Sequence, residues 1–321
     1  MVYREMKTFL GLLVFAVQLL SAAEYHPQIS KGKVTTELRS FQYGDREVPL
    51  KFYFPEVKKA PVILLSHGLG GSREVGTYLG NYWAERGYLV VAMQHLGSDS
   101  SVWTGSAPAE RMNKMKAAAN GQTFVDRMKD VPATLDQLEK WNADKKHFLF
   151  GKADLTKIGM AGHSYGAVTT QALVGQDFGP LGQKYADPRI DAGLALSPSV
   201  PKVGKAERAF GKIKLPLMLM TGTKDGSPIG RTAPESRRLV YPALPAGSKY
   251  ELVLNGAEHS AFSDAKFQRG AARNPNHHKV IEAFSTAFWD AYLKDNAAAK
   301  AWLGSSAAKN LLEPGDQWQQ K

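Results

Sequence analysis

The stretch that decides the fold is Lys157-Ile-Gly-Met-Ala-Gly162-His-Ser164-Tyr-Gly166-Ala-Val-Thr-Thr-Gln-Ala-Leu-Val174. Its first five residues form a short apolar run that predicts a buried strand, and residues 167–174 have the composition of a helix. Between them, residues 162–166 match the pattern G-x-S-x-G. A strand, a sharp turn and a helix in this order typically hold a nucleophilic serine with its hydroxyl exposed. We therefore predict that Ser164 is a nucleophile, the alternative being a plain glycine-rich turn.

Short apolar runs alternate with amphipathic stretches on both sides of this motif. Strands are predicted at 61–66, 88–93, 157–161, 192–196, 215–221 and 250–254, and helices at 74–86, 124–141, 167–174 and 279–293. Near-continuous apolar strands separated by helices are typical of a mostly parallel sheet with helices on both faces. Because no internal repeat or linker is visible, we predict a single α/β domain over residues 24–321.

A serine hydroxyl needs a base to take its proton, and the base needs an acid to orient it. In folds built around this turn, the three residues follow one another as serine, acid and histidine. Asp225 closely follows the apolar run 215–221, and His259 follows the run 250–254. Because parallel strands end at the same edge of a sheet, we predict that Ser164, Asp225 and His259 form a catalytic triad.

Other acids and histidines are less well placed for these two roles. The remaining downstream acids considered are Asp177, Asp187, Asp191, Glu235 and Asp264, none of which directly follows a strongly apolar strand. Asp225 itself could instead belong to an ordinary Asp-Gly turn. We predict that His277 and His278 are surface or capping residues at the start of the last helix, and that His163 packs beside the serine. The histidines His67, His95 and His147 precede Ser164 and break the expected order.

An ester or amide reaction at Ser164 also needs two donors for the developing oxyanion. We assign one to the backbone N–H of Tyr165 and the other to that of Leu69, in the glycine-rich run His67-Gly-Leu-Gly-Gly71. The glycines allow the chain to approach closely. A phosphate-binding turn is the alternative, but the run lacks the Lys-Ser/Thr of a P-loop and the glycine spacing of a dinucleotide site.

The substrate cleft is predicted to be open and lined by aromatic side chains. Residues 97–122 show no single period, and such long segments are usually functional or disordered, or simply a basic surface excursion. We expect Trp103 from this segment and Phe262, beside His259, to contact the substrate. Only residues 197–214 separate two of the strands, which is too short for a lid domain. Short acyl groups or accessible polymeric esters are therefore expected over long-chain triglycerides.

The N-terminus has the pattern of an export signal. Arg4 and Lys7 precede an apolar run over 9–20 and the small residues 21–23, which predicts a signal peptide at 1–23 and a secreted or periplasmic protein. A retained anchor is the alternative, although the run is short for a membrane span. Removal of these residues lowers the formal charge from +11 to +10.

Composition excludes several classes of chemistry. The chain has no cysteine, so it holds no disulfide, thiolate nucleophile or cysteine-ligated metal. No cluster of histidines and carboxylates has metal-ligand spacing, and we expect neither a metal nor another cofactor. The basic residues are scattered, so we expect no nucleic-acid partner and at most a weak attraction to anionic surfaces. The oligomeric state does not follow from the sequence.

Five motifs resemble those of the predicted dienelactone hydrolases, which are similar to the platelet-activating-factor acetylhydrolase and polyester-hydrolase branches of the α/β-hydrolases. They are His67-Gly-Leu-Gly-Gly-Ser72, Gln94-His-Leu-Gly-Ser-Asp99, Gly162-His-Ser-Tyr-Gly-Ala167, Thr221-Gly-Thr-Lys-Asp225 and Gly256-Ala-Glu-His259. The resemblance extends over about residues 45–295 and implies the α/β-hydrolase fold and cofactor-independent serine ester hydrolysis. True dienelactone hydrolases use a cysteine nucleophile, so the resemblance does not extend to their substrate.

Two other functions share these residues. A serine amidase or peptidase uses the same triad, and no sequence feature excludes it. A catalytically silent binding protein on this fold is disfavoured because all three triad positions are filled. Fold alone does not decide among them.

Overall fold

One nine-stranded sheet organises the chain in the computed structural model, which describes residues 25–27, 32–230, 232–264 and 274–321. The strands are β1 (Thr35–Tyr43), β2 (Arg46–Phe54), β3 (Ala60–Ser66), β4 (Leu89–Met93), β5 (Ala153–His163), β6 (Ala192–Leu196), β7 (Leu217–Lys224), β8 (Lys249–Glu258) and β9 (Gln317–Gln320). Their spatial order is β1-β2-β4-β3-β5-β6-β7-β8-β9. The strands from β4 through β8 in this order are parallel, whereas β1, β2 and β9 pair antiparallel at the two edges.

Helices cover both faces of the sheet. They are Thr77–Glu85, Pro108–Ala118, Gly121–Ala143, Tyr165–Leu173, Ala206–Phe210, Pro234–Arg237, Val240–Ala243, Pro275–Leu293, Ala297–Leu303 and Ser306–Lys309. Successive strand residues point to opposite faces, so Ile63 packs in the cluster that contains Trp83, and Leu64 packs in the cluster that contains Met128. This architecture confirms the predicted α/β-hydrolase fold.

All six predicted strands and all four predicted helices are present, with ends that differ by a few residues. The sequence patterns missed three strands, β1, β2 and β9. Most residues of β1 are exposed, so it has no apolar run, and β9 is only four residues long. The segment 97–122 is also more regular than expected, because it contains the helix Pro108–Ala118.

Two predictions concern the ends and insertions of the domain. The predicted signal peptide, residues 1–23, lies outside the described residues. Among the residues that are described, no helix is both long enough and apolar enough to cross a membrane. Between β6 and β7 the chain forms a single five-residue helix, Ala206–Phe210, in agreement with the expectation that this connection holds no separate lid domain.

Candidate active site

The turn between β5 and the helix Tyr165–Leu173 holds Ser164 in an unusual backbone conformation, with φ 57° and ψ −111°. Such conformations cost about 1–3 kcal/mol and persist when the surroundings enforce them. A Cβ on Gly162 would lie 2.2 Å from the Gly166 carbonyl oxygen, and one on Gly166 would lie 2.0 Å from the carbonyl oxygen of Ser66. The two glycines of G-x-S-x-G are therefore required by close backbone contacts around the serine.

The structure brings Ser164, His259 and Asp225 together in a single chain of contacts. Ser164 Oγ lies 2.9 Å from His259 Nε2, and His259 Nδ1 lies 2.7 Å from Asp225 Oδ1. The serine and acid follow β5 and β7, and the histidine follows β8, so all three lie at one edge of the sheet. The side chain of His259 is 27% exposed and that of Asp225 is 0% exposed. The histidine can thus meet solvent and substrate while its acid partner cannot.

Two side chains besides His259 hold Asp225 in place. Its Oδ2 accepts a hydrogen bond from Thr221 Oγ1 at 2.8 Å. The buried Arg237 donates through Nε to the Asp225 carbonyl oxygen at 2.6 Å, and the same Nε lies 2.9 Å from Oδ1. Sequence reasoning missed Arg237, which belongs to no motif and reaches the site through a separate short helix, Pro234–Arg237. The ion pair allows a carboxylate to be buried at the site.

Both predicted oxyanion donors lie in segments next to Ser164. In the described part of the chain, neither the Leu69 N–H nor the Tyr165 N–H has a protein acceptor. Tyr165 opens a helix, where the first N–H groups are unpaired and the helix dipole favours negative charge. The loop of Leu69 is close to the serine, because a Cβ on Gly68 would lie 3.3 Å from Ser164 Cβ. Two donors can therefore meet an oxygen beside Ser164.

His163 and Phe262 support the histidine from behind. The Nε2 of His163 donates to the carbonyl oxygen of His259 at 3.0 Å, and the two rings are 4.6 Å apart. Desolvation and the neighbouring His259 hold the pKa of His163 well below its ordinary value, so the ring is neutral. Phe262 is 1% exposed and packs on His163. This burial corrects the prediction that Phe262 contacts substrate.

Trp103 lies beside the oxyanion loop. It is partly buried, and its Nε1 donates to the carbonyl oxygen of Gly70 at 2.8 Å. A Cβ on Gly70 would be 2.8 Å from Met115 Sδ and 3.0 Å from Trp103 Nε1, so this glycine is needed where the loop meets the 97–122 segment. Arg111 lies over the Trp103 ring at 5.2 Å. The segment thus forms an apolar and basic border next to the candidate site.

The other acids and histidines have different partners. Asp177 pairs with Lys212, Asp187 with Arg189, Asp191 with the N–H of Ile158, and Asp264 with the N–H groups of Gly76 and Tyr78, while Glu235 is exposed.

His277 is 4% exposed, and its Nε2 donates to the carbonyl oxygen of Asn255. This corrects its prediction as a surface or capping residue, since Asn274 caps that helix. His278 stacks on Tyr78.

A second Ser-His-Asp contact chain lies beneath the oxyanion loop and was missed by the sequence patterns. Ser66 Oγ lies 2.9 Å from His95 Nε2, and His95 Nδ1 lies 2.9 Å from Asp130 Oδ2. All three residues are 0% exposed. Burial and the nearby Arg127 lower the pKa of His95 to about 4, which keeps its ring neutral. This sealed arrangement joins β3, the turn after β4 and the helix Gly121–Ala143, and a substrate cannot reach it.

Within the described ranges, no group of three or more histidine and carboxylate side chains could hold a metal ion. The residues at the candidate site are those of nucleophilic catalysis: a hydroxyl, an imidazole, a buried carboxylate and two free N–H groups.

A family model and a curated relative are similar to this chain. A family model described as platelet-activating factor acetylhydrolase, isoform II, matches residues 30–125, which include the oxyanion loop but end before Ser164. The platelet-activating factor acetylhydrolase of Cavia porcellus is 24% identical over 264 residues, which cover 73% of this chain and 56% of that protein. The chain therefore spans about half the length of this relative. The sheet order and the turn at Ser164 give the chain the α/β-hydrolase fold, and within that fold it is similar to platelet-activating factor acetylhydrolase.

Proposed function

We propose that the protein is a serine esterase that hydrolyses carboxylic esters through an acyl-enzyme intermediate. The observation that carries the proposal is the contact chain from Ser164 Oγ to His259 Nε2 and from His259 Nδ1 to Asp225 Oδ1. The similarity to an acetylhydrolase supports an ester as the bond cleaved.

In the acylation step, Ser164 Oγ attacks the ester carbonyl carbon while His259 Nε2 takes the hydroxyl proton. The carbonyl oxygen becomes an oxyanion that accepts hydrogen bonds from the N–H groups of Leu69 and Tyr165. Asp225 accepts the His259 Nδ1–H and stabilises the imidazolium. His259 then gives its proton to the leaving alcohol oxygen as the C–O bond breaks, which leaves the acyl group on Ser164.

Deacylation repeats these steps with water. His259 takes a proton from water, the resulting hydroxide oxygen attacks the acyl carbon, and the same two N–H groups bind the second oxyanion. The bond to Ser164 Oγ breaks as the proton returns to the serine, and the carboxylic acid leaves. No cofactor is required at any step.

The proposed substrates are esters with short acyl groups, or polymeric esters whose chains can reach an open cleft. The connection between β6 and β7 is short, with a five-residue helix. The residues 68–71, Ser164 and Tyr165 are all partly exposed. Trp103 offers a broad apolar surface that does not require one acyl shape.

Hydrolysis of p-nitrophenyl esters of increasing acyl length, compared with matched p-nitroanilides, tests the function. We expect the acetyl and butyryl esters to be cleaved fastest, long-chain esters slowly, and the anilides far more slowly than the esters. Anilide cleavage at rates near those of the ester would instead support an amidase. An inert protein that also fails to react with a fluorophosphonate would support a silent binding function.

Replacing Trp103 with alanine is expected to raise KM several-fold and to lower kcat much less, because a side chain that only binds substrate contributes equally to the ground state and the transition state. Trp103→Phe is the matched control, since it keeps the apolar ring but loses the hydrogen bond to Gly70. If both variants lower kcat equally and leave KM unchanged, Trp103 supports the loop and does not bind substrate.

We also propose that the protein is exported and its signal peptide removed. This proposal rests on the N-terminal pattern of charged, apolar and small residues. Mass spectrometry of the protein from its native host should find an N-terminus at or near Glu24. A mature chain that retains Lys7 would contradict cleavage.

A further inference from the structure

Arg127 is a fully buried arginine on the helix Gly121–Ala143, directly beneath the candidate oxyanion site. Its NH1 donates to the carbonyl oxygen of His67 at 2.7 Å, and its Nε donates to Ser98 Oγ at 2.9 Å. Its guanidinium carbon lies 4.4 Å from the centre of the Tyr165 ring. A single side chain therefore touches both polypeptide segments that supply an oxyanion donor.

The charge of Arg127 is not neutralised by a contacting carboxylate. In the described part of the chain, no carboxylate oxygen lies within ion-pair distance of its guanidinium. Its Nε and NH1 contact only neutral oxygens. The nearest acids have other partners, since Asp130 binds His95 and Arg46, and Asp99 binds Gln94. Burial lowers the pKa of Arg127 only to about 10, so the group is a cation at neutral pH. A buried positive charge is costly unless partners compensate for its lost hydration.

On one side, Arg127 acts on the Leu69 peptide through His67, whose carbonyl oxygen accepts from Arg127 NH1, while the Gly68 carbonyl oxygen also accepts from the Gly71 N–H at 3.0 Å. The pKa of His67 is held well below its ordinary value, mainly by burial and secondly by the nearby Arg127. The ring is therefore neutral. Its Nε2 accepts from the His95 N–H at 3.0 Å, which leaves the proton on Nδ1 to donate to the Gly68 carbonyl oxygen at 2.6 Å. In a trans peptide the C=O and the next N–H point in opposite directions. Fixing the Gly68 carbonyl oxygen on the inner side therefore turns the Leu69 N–H outward.

On the other side, Arg127 fixes the residue that supplies the second donor. A guanidinium over the face of a tyrosine ring is attracted by the ring quadrupole, more strongly when the pair is desolvated. The Tyr165 hydroxyl is also hydrogen-bonded to Thr123 Oγ1 at 3.1 Å, on the same helix as Arg127. Both contacts secure Tyr165 while its N–H remains free.

We propose that Arg127 is a positioning residue for the oxyanion site: through His67 and Tyr165 it holds the Leu69 and Tyr165 N–H groups in place, and it puts a positive charge without a contacting carboxylate near the developing oxyanion. This inference rests on the proposed serine mechanism. In that mechanism Arg127 acts through the two donors and does not touch the substrate.

The test compares Arg127→Gln and Arg127→Lys with the unmodified protein. Two rates are measured: kcat and KM for p-nitrophenyl acetate, and the rate of covalent reaction of Ser164 with a fluorophosphonate, whose phosphoryl oxygen uses the same donors. Loss of one direct oxyanion donor costs about 10²- to 10³-fold, so we expect a drop of about 10- to 100-fold in kcat and in the labelling rate for Arg127→Gln. KM should change little, and Arg127→Lys should recover part of both rates because it keeps the charge.

The matched control is Arg86→Gln, which removes a buried arginine on the opposite face of the sheet, where Arg86 is paired with Asp290. It should keep both rates even if it lowers the melting temperature. An Arg127→Gln protein that keeps wild-type labelling and kcat within about twofold would overturn the proposal, as would failure of both Arg127 variants to fold, which would assign the residue to the core alone. If the unmodified protein labels but does not cleave esters, the proposed function fails, and the labelling rates still test Arg127.

Discussion

Replacing Ser164 with alanine is expected to lower ester hydrolysis by about 10⁴- to 10⁶-fold, because the members of a triad act as a unit. The substitution removes the oxygen that lies 2.9 Å from His259 Nε2 and with it the covalent intermediate. A small residual rate should remain from the oxyanion donors and substrate binding. Steady-state hydrolysis of p-nitrophenyl acetate measures the loss.

Covalent labelling gives an independent measure of the same prediction. A fluorophosphonate should modify the peptide that contains Ser164 and should leave Ser164→Ala unmodified. Ser285→Ala is the control, since Ser285 is fully buried and accepts a hydrogen bond from Trp83 on the other side of the sheet. Persistent turnover in purified Ser164→Ala, or labelling at another serine, would reject the mechanism.

Replacing His259 with alanine is expected to cost about as much as replacing Ser164, since no base would remain to take the hydroxyl proton. Asp225→Asn should cost slightly less, about 10³- to 10⁴-fold, because an amide can donate to Nδ1 and favour the wrong tautomer. Asp225→Asn should also lower the melting temperature, since it leaves the buried Arg237 guanidinium without its carboxylate, which is strongly destabilising.

His278→Ala is the control for the base. His278 stacks on Tyr78 and its Nε2 donates to the Ala261 carbonyl oxygen, away from Ser164, so the variant should keep most of the activity. Both proteins should be compared by kcat and by thermal unfolding. If activity survives in His259→Ala and is lost in His278→Ala, the assignment of the base is wrong.

The parts of the fold that the sequence predicts are those encoded by local pattern. Buried parallel strands are short apolar runs, and the residues that directly follow them lie at one edge of the sheet. Ser164, Asp225 and His259 could be chosen on that ground together with the G-x-S-x-G pattern and the order serine, acid and histidine. The two glycines of the G-x-S-x-G pattern have a physical reason in the structure, because a Cβ at either would lie 2.2 Å or 2.0 Å from a backbone carbonyl oxygen.

The supporting residues of the site could not be predicted because they depend on distant parts of the chain. Arg237 reaches Asp225 from a short helix, and Arg127 reaches His67 across 60 residues of sequence. Neither arginine has a local signal that distinguishes it from a surface arginine. Phe262 shows the converse: an aromatic residue next to the candidate base was expected in the cleft, and tertiary packing buries it behind His163.

The order of the strands has a consequence for folding. Ser164 and His259 are 95 residues apart in sequence, and they meet only after β6 and β7 have paired between β5 and β8. Parallel pairings of this kind form many contacts between distant residues, which slows folding relative to helices that form locally. During refolding from denaturant, helical circular dichroism should therefore return before Ser164 becomes reactive. A collapsed intermediate that holds most of the helices would still lack a reactive serine. Ser164 would become reactive only when the native state forms.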